Sequence, residues 1–465
     1  MKSRQKVGSA VLLFFSALFP IIIGSRGGFS PANVITTLAT AFVIDIIYVS
    51  PKIKQYGVLF IFSPCILSVI YISLNSIIGC FFMMKGWCLD YTLLVAFHSI
   101  GSEVLFKYTL LTAVFNAILC IIAFYQSNRF IRRKNMKEMN ISVYRVRNIV
   151  ILSIALTILA TIPSIIYHGE RTTSNIILSL YFPVYLSVLA CLFYNVLRCS
   201  LSNIILFAVI VGLFVFSSVA LFHSKREAFF CLIVMILMFL IDKTNIRLKL
   251  RHVLLGVIVG ALSIIMILAS SLLRGYNNFE GESFVDAVKA IPQYVNSPTF
   301  MPAIGGNFEV VSAFPHTVNA FNYIEIGRIP TLYGETFWRV LFVPIPESLF
   351  GYKPRKMLAI YTELFDASYR NIGGSYPVMC YAEFYANFKF LAIVFLLLFF
   401  YLFEKYYYVV LDKWGDNRRI SSQIAALCFF ATFIMFTRGS GFSSYCIYGF
   451  LIWVSVLMIS KMRLV

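Results

Sequence analysis

Four short stretches hold cations in settings suited to binding phosphate: GSRGG (24–28), HSKREAF (223–229), SLLRGYN (271–277) and FTRGSGF (436–442). Each borders an apolar run. Arg26, Arg274 and Arg438 are each followed by glycine. Glycine lets backbone and its N–H groups come close to a ligand. Arginine offers a planar donor fork that matches phosphate oxygens in pairs. Arg438-Gly439-Ser440-Gly441 also opens a helical pattern, where orphan N–H groups and the dipole favour an anion. Lys225, Arg226, Arg274 and Arg438 therefore make a candidate pyrophosphate-binding set, with Arg274 and Arg226 foremost. The competing reading is that such cations snorkel to lipid phosphates or pair with local acids such as Glu227.

Two further residues have the right chemistry to move a proton. His316 is the one histidine between residues 273 and 388. In a helix over 307–325 it shares a stripe with Glu309, Ser312, Asn319 and Tyr323, at spacings of three and four. Glu383 sits where that region returns to an apolar run, below Gly373-Gly374. The plainer alternatives are a satisfied surface histidine and an acid favoured by a helix N-terminus. The ten cysteines show no C-x-x-C pair and no zinc-like grouping with histidine, and no D-x-D occurs. No metal and no cofactor is implied.

The elements that position these residues are written in the composition. The chain has 465 residues, of which 60% are hydrophobic and 13% charged, with a mean hydropathy of +0.84. Apolar runs reach the roughly 20 residues that cross a bilayer core, and they are continuous rather than alternating. The pattern predicts an all-α, polytopic membrane protein with about twelve spans: 7–24, 31–50, 57–79, 104–126, 149–167, 175–197, 203–222, 228–241, 253–272, 389–410, 421–437 and 441–460. The N-terminal stretch MKSRQKVGSAVLLFFSALF reads as a retained first helix rather than a cleaved signal.

Charge orients these spans. With the N-terminus inside, 22 cations and only four acids fall on the inner segments, which accounts for nearly all of the +19 net charge. That charge reads as a topology signal toward anionic lipid, not as a nucleic-acid footprint. Both termini are then cytoplasmic. Residues 1–272 hold nine spans, 273–388 form one large extracytoplasmic segment, and 389–465 hold three more. The long segment carries helical patches at 282–291, 307–325, 334–342 and 356–365, separated by Gly-Gly and Pro signals. It reads as a helical cap on the outer surface. The cations of HSKREAF, SLLRGYN and FTRGSGF all fall on the outer side, against the usual rule.

The end of this segment, GGSYPVMCYAEFYANFKF (373–390), resembles the Gly-Gly…Pro…Glu-x-Tyr-x-Asn-Phe stretch of bacterial polysaccharide repeat-unit polymerases, the Wzy-type O-antigen polymerase family. GRIPTLYGETFWRVLFVPIPESLFGYKP (327–354) is similar to that family's Gly…Pro…Pro…Lys-Pro stretch, and SKRE and LLRGY stand where the family carries outer arginines. Ala382 and Lys389 depart from glycines common there, and Pro344-Ile345-Pro346 from a common Pro-Arg. The resemblance implies a GT-C-like glycosyltransferase of the bacterial inner membrane. Its donor would be a glycan on undecaprenyl pyrophosphate and its acceptor one lipid-linked repeat unit. It also implies membrane lipids as partners and leaves room for a chain-length regulator protein. On this reading Arg274, His316 and Glu383 are the catalytic candidates. An O-antigen ligase shares the architecture and donor. A flippase would carry more charge inside its spans than Asp45, Lys107 and Glu404 supply, and a sensor would carry out no reaction.

Overall fold

A computed structural model describes residues 2–24, 28–128, 176–196, 225–242, 284–307, 309–343, 353–414 and 420–461, with a few more between 211 and 273. Every regular element among them is helical. In chain order these are α1 (Lys2–Gly24), α2 (Pro31–Tyr56), α3 (Val58–Ile61), α4 (Pro64–Met84), α5 (Tyr91–His98), α6 (Ser102–Ser127), α7 (Ile176–Val196), α8 (Lys225–Asp242), α9 (Phe284–Val295) and α10 (Phe300–Asn307). Then come α11 (Val310–Glu325), α12 (Glu335–Phe342), α13 (Met357–Phe365), α14 (Ala367–Asn371), α15 (Cys380–Phe388), α16 (Ala392–Asp412), α17 (Ile420–Ala431), α18 (Ile434–Arg438) and α19 (Phe442–Lys461).

Six described stretches are long and apolar enough to cross a membrane: Pro31–Tyr56, Pro64–Met84, Ser102–Ser127, Cys380–Asp412, Ile420–Arg438 and Phe442–Ile459. Three shorter apolar helices join them, at Gly8–Gly24, Phe182–Cys191 and Phe230–Ile241. The chain is a multi-pass helical membrane protein. The expected spans at 149–167, 203–222 and 253–272 lie wholly or mostly outside the described residues.

Local chemistry sets the helix ends. Ser30 caps α2 by accepting from the Asn33 N–H, and Pro31 takes the first helical position, where its missing N–H is not needed. The third span begins later than the apolar run suggests, at 64 rather than 57. Gly57 turns the chain at φ +62, and Ser63-Pro64 restarts it as α4. The window Cys380–Asp412 is not one straight helix either. Lys389, at φ +50, breaks it into α15, a 3-10 turn (Lys389–Leu391) and α16. The Lys389 ammonium anchors the break on the Ile324 carbonyl at 3.1 Å.

The chain divides into two compact units. One comprises 1–131, 304–409 and 432–447; the other comprises 132–303, 410–431 and 448–465. In the first, α2, α4 and α6 pack on one another, with α1 against α2 and α6. Helix α11 comes from the segment read as a surface cap. Yet it lies along α4 and α6, with twelve of its side chains buried. Gly79 permits this approach: a Cβ there would stand 2.4 Å from the Val310 carbonyl oxygen. Phe314 then packs on Phe97 and Tyr108, and Phe321 stacks on Tyr385 at 4.8 Å. An apolar stripe this wide is buried against helices because leaving it in water would cost ~1.5–3 kcal/mol for each large side chain. The helix runs on through Pro315.

In the second unit, α7, α8 and α17 pack together. Ser187 donates to the Pro183 carbonyl one turn back at 2.7 Å. A small core gathers Ala269, Leu272, Ala287, Tyr294 and Ala303.

Candidate functional site

Helix α15 carries the Glu-x-Tyr-x-Asn stretch, and eight of its nine residues are buried. Glu383 is 2% exposed. Its carboxylate accepts from the Thr336 hydroxyl and the Phe442 backbone N–H. Asn387, one turn along, donates its Nδ2 to Thr336 Oγ1 at 2.9 Å and to the Glu383 carbonyl at 2.7 Å. Thr336 opens α12, so this pair docks α12 onto α15. The i, i+4 spacing of glutamate and asparagine puts both on one face.

One cation, Lys356, lies close enough to act on that carboxylate. Lys356 caps the start of α13 and is half-buried. Burial first, then repulsion from Arg339 and Arg370, push its ammonium down to about 8, with Glu383 working the other way. Arg339, on α12, donates to the Pro354 carbonyl. Arg370, on α14, reaches the Gly374 carbonyl at 3.4 Å. The acids nearby are engaged elsewhere: Glu335 accepts from the Arg355 N–H at 3.2 Å, Glu363 pairs with the Arg355 guanidinium, and Asp366 holds Ser368 and Tyr376. Among the described residues, neither Lys356 nor Arg370 has a carboxylate within ion-pair distance. Lys356 thus has Arg339 and Arg370 near it, and among the described residues neither Lys356 nor Arg370 is neutralised by an ion pair, which gives this place positive charge that suits a polyanion.

Arg438 ends α18, and Gly439 and Gly441 follow at φ +108 and +82. A Cβ on Gly439 would stand 2.0 Å from the Val378 carbonyl oxygen, so only glycine allows this turn to lie against the 375–379 strand of chain. The Arg438 fork is taken by Glu309, which holds a left-handed φ of +61 rare for a residue with a side chain. The pair lies beside Tyr71, and Thr437 bonds Ser68 at 2.8 Å. Arg438 is thus level with the first half of α4.

His316 is 1% exposed and burial pushes it down to about 3, so it is neutral at ordinary pH. Its Nδ1 lies 2.9 Å from the Tyr361 hydroxyl, and its ring stacks on Tyr376 at 4.1 Å. Asn319 donates to that same hydroxyl at 3.1 Å. The Tyr361 hydroxyl thus bridges His316 and Asn319. The expected stripe is real only in part: Asn319 joins His316 through Tyr361, while Glu309 turns to Arg438. Lys225 and Arg226 open α8, in the second unit. Arg26 and Arg274 lie outside the described residues.

Arg339, Lys356 and Arg370 lie away from the outer ends of the expected spans, where phosphate-binding cations were expected. A signal was present in Lys353-Pro354-Arg355-Lys356, a basic run between two helical patches. Among the described residues, no group of three or more His, Cys, Asp or Glu could hold a metal ion. No family model, curated protein or solved structure matches the chain.

Proposed function

We propose that the chain is an extracytoplasmic glycosyltransferase of the bacterial inner membrane that polymerises undecaprenyl-pyrophosphate-linked repeat units. On this reading the fold is GT-C-like, with about twelve spans, both termini inside and 273–388 outside. The observation that carries it is the gathering of Arg339 and Arg370 about Lys356, which also faces buried Glu383; Arg339 and Glu383 lie in the two stretches that resemble the polymerase family.

An acceptor hydroxyl attacks C1 of the donor's first sugar. The bond from C1 to the pyrophosphate oxygen breaks, its electron pair stays on that oxygen, and the hydroxyl proton passes to solvent. Negative charge therefore grows on the pyrophosphate, where fixed cations stabilise the transition state more than the ground state. Arg339, Lys356 and Arg370 bind it. Glu383, sealed beneath Thr336 and Phe442, positions Lys356 and offsets its charge. His316 fixes the α11–α13 packing behind them.

The test is polymer formation by the full chain in lipid nanodiscs supplied with lipid-linked repeat units. Lys356→Ala with Arg370→Ala lowers the rate by a hundredfold or more, the order seen when a transition-state donor is lost. Wild-type chain lengths from that variant sink the reading. In a deletion strain, single repeat units remain on the lipid A-core; their absence as well points to a ligase instead.

A further inference from the structure

Helix α12 is inside out for a helix at a water surface. Its sequence, ETFWRVLF, separates into a polar arc (Glu335, Thr336, Arg339) and an apolar arc (Phe337, Trp338, Val340, Leu341, Phe342) at 100° per residue. In water the polar arc would face out. Here its centre turns in: Thr336 is 1% exposed and bonds Asn387, and Arg339, half-buried, holds the Pro354 carbonyl. Trp338 and Leu341 of the apolar arc face out, 61% and 58% exposed, while Phe337 packs on Phe384, Phe399 and Phe442. Tyr333, just before the helix, is 82% exposed. A helix in this orientation has an apolar medium outside it.

This ridge is continuous with a surface that faces lipid. Phe337 stacks on Phe388, and Phe388 stacks on Phe395 at 3.8 Å. From there the exposed side chains Phe390, Leu391, Val394 and Leu398 run down the flank of a membrane span. So one side of α12 extends the lipid-facing wall of α16. The other side of the same helix supplies Arg339 to the cation cluster with Lys356 and Arg370. The two sides are separated by one helix width, about 10 Å.

We propose that α12 is the lateral entry for a polyprenyl diphosphate, whose isoprenoid chain lies along Trp338 and Leu341 while its diphosphate turns inward to Arg339, Lys356 and Arg370. The proposal rests on the pyrophosphate reading of that cluster and adds the path by which the lipid arrives. A soluble sugar nucleotide would need the cluster open to water and no apolar track beside it. A diphosphate bearing a long apolar chain needs both features in this order, and charge and hydrophobicity are complementary to it at once.

The experiment is photocrosslinking. A benzophenone amino acid replaces Trp338 in the full chain, and in a second variant it replaces Val43, an exposed residue of α2. Each is placed in phosphatidylcholine nanodiscs containing a small fraction of undecaprenyl diphosphate. The expected result is polyprenyl adduct at 338 about tenfold above its share of the lipid, bulk proportion at 43, and loss of the enrichment with Lys356→Ala and Arg370→Ala. Phosphatidylcholine adducts alone at 338 make α12 a plain membrane anchor and overturn the proposal. So does an adduct to a second copy of the chain. Enrichment at 338 without any polymer would leave this entry standing and remove the polymerase reading. Polymer formation without enrichment would do the reverse.

Discussion

Lys356 shows how a site can be held ready at a cost to the fold. Its ammonium is pushed down to about 8 because burial and two arginines disfavour its charge. The folded chain thus releases this proton at lower pH than the unfolded chain does, and stability rises with pH from there toward the ordinary lysine range. On the proposed function, phosphate binding runs the opposite way, since only the charged form binds. Polymer synthesis should therefore fall as pH rises through about 8. Lys356→Arg, which stays charged, should remove that alkaline decline; a profile of the same shape in both proteins would exclude Lys356 from the site. Lys356→Met should fold at least as stably as wild type while losing activity. His316 gives the other pH limb. Its folded value of about 3 lies below the ordinary histidine value, so the stability it contributes is complete above about 6.5 and drains away as pH falls toward 3. The melting midpoint of purified protein should drop over that window, and His316→Gln should flatten the drop. An unchanged slope would mean that His316 is not kept neutral by its surroundings. Little at this scale was legible in the sequence. His316 and Glu383 were visible as residues with the right chemistry. Their partners Tyr361, Thr336 and Phe442 come from other elements, and no local pattern announces such contacts.

Elements were more legible, because helices are set by nearby residues. The patches read at 307–325, 334–342 and 356–365 correspond to α11, α12 and α13. The errors have physical causes. Span 57–79 shifts to 64–84 because Ser63-Pro64 is a stronger start signal than an apolar run. The 373–390 stretch hides a separate helix, α15, because the break at Lys389 uses a left-handed backbone that lysine rarely adopts. Glycines in close crossings were also silent in the sequence, and they allow a direct test. Gly439→Ala should destabilise the fold by on the order of 2–4 kcal/mol, through both overpacking on Val378 and an unfavourable φ. Gly101→Ala, with nothing within 4 Å of its added Cβ, should be tolerated. Folded yield measured by detergent size-exclusion distinguishes them. Equal yields would show that the 438–441 turn is looser than its geometry.

For the whole molecule, composition and charge revealed the class at once, since few soluble proteins are 60% hydrophobic and 13% charged. Sidedness rests on the cation imbalance and has its own check: a reporter enzyme fused after Asn296 should be active only outside the cytoplasm. Activity on the cytoplasmic side would invert the topology. The candidate site was not legible at this scale. Its cations lie at 339, 356 and 370 in a long connecting segment, and only the folding of four short helices brings the two arginines to Lys356 and Lys356 to Glu383. The placement of α11 also bears on how such a protein can be recombined. A loop resting on a membrane surface is modular and can be traded between relatives like a cassette. A helix wedged along α4 and α6, with Gly79 shaved to admit Val310, is not. Exchanging residues 304–388 alone between two such chains should produce misfolded chimaeras, and a working graft should need residues 64–127 to travel with them.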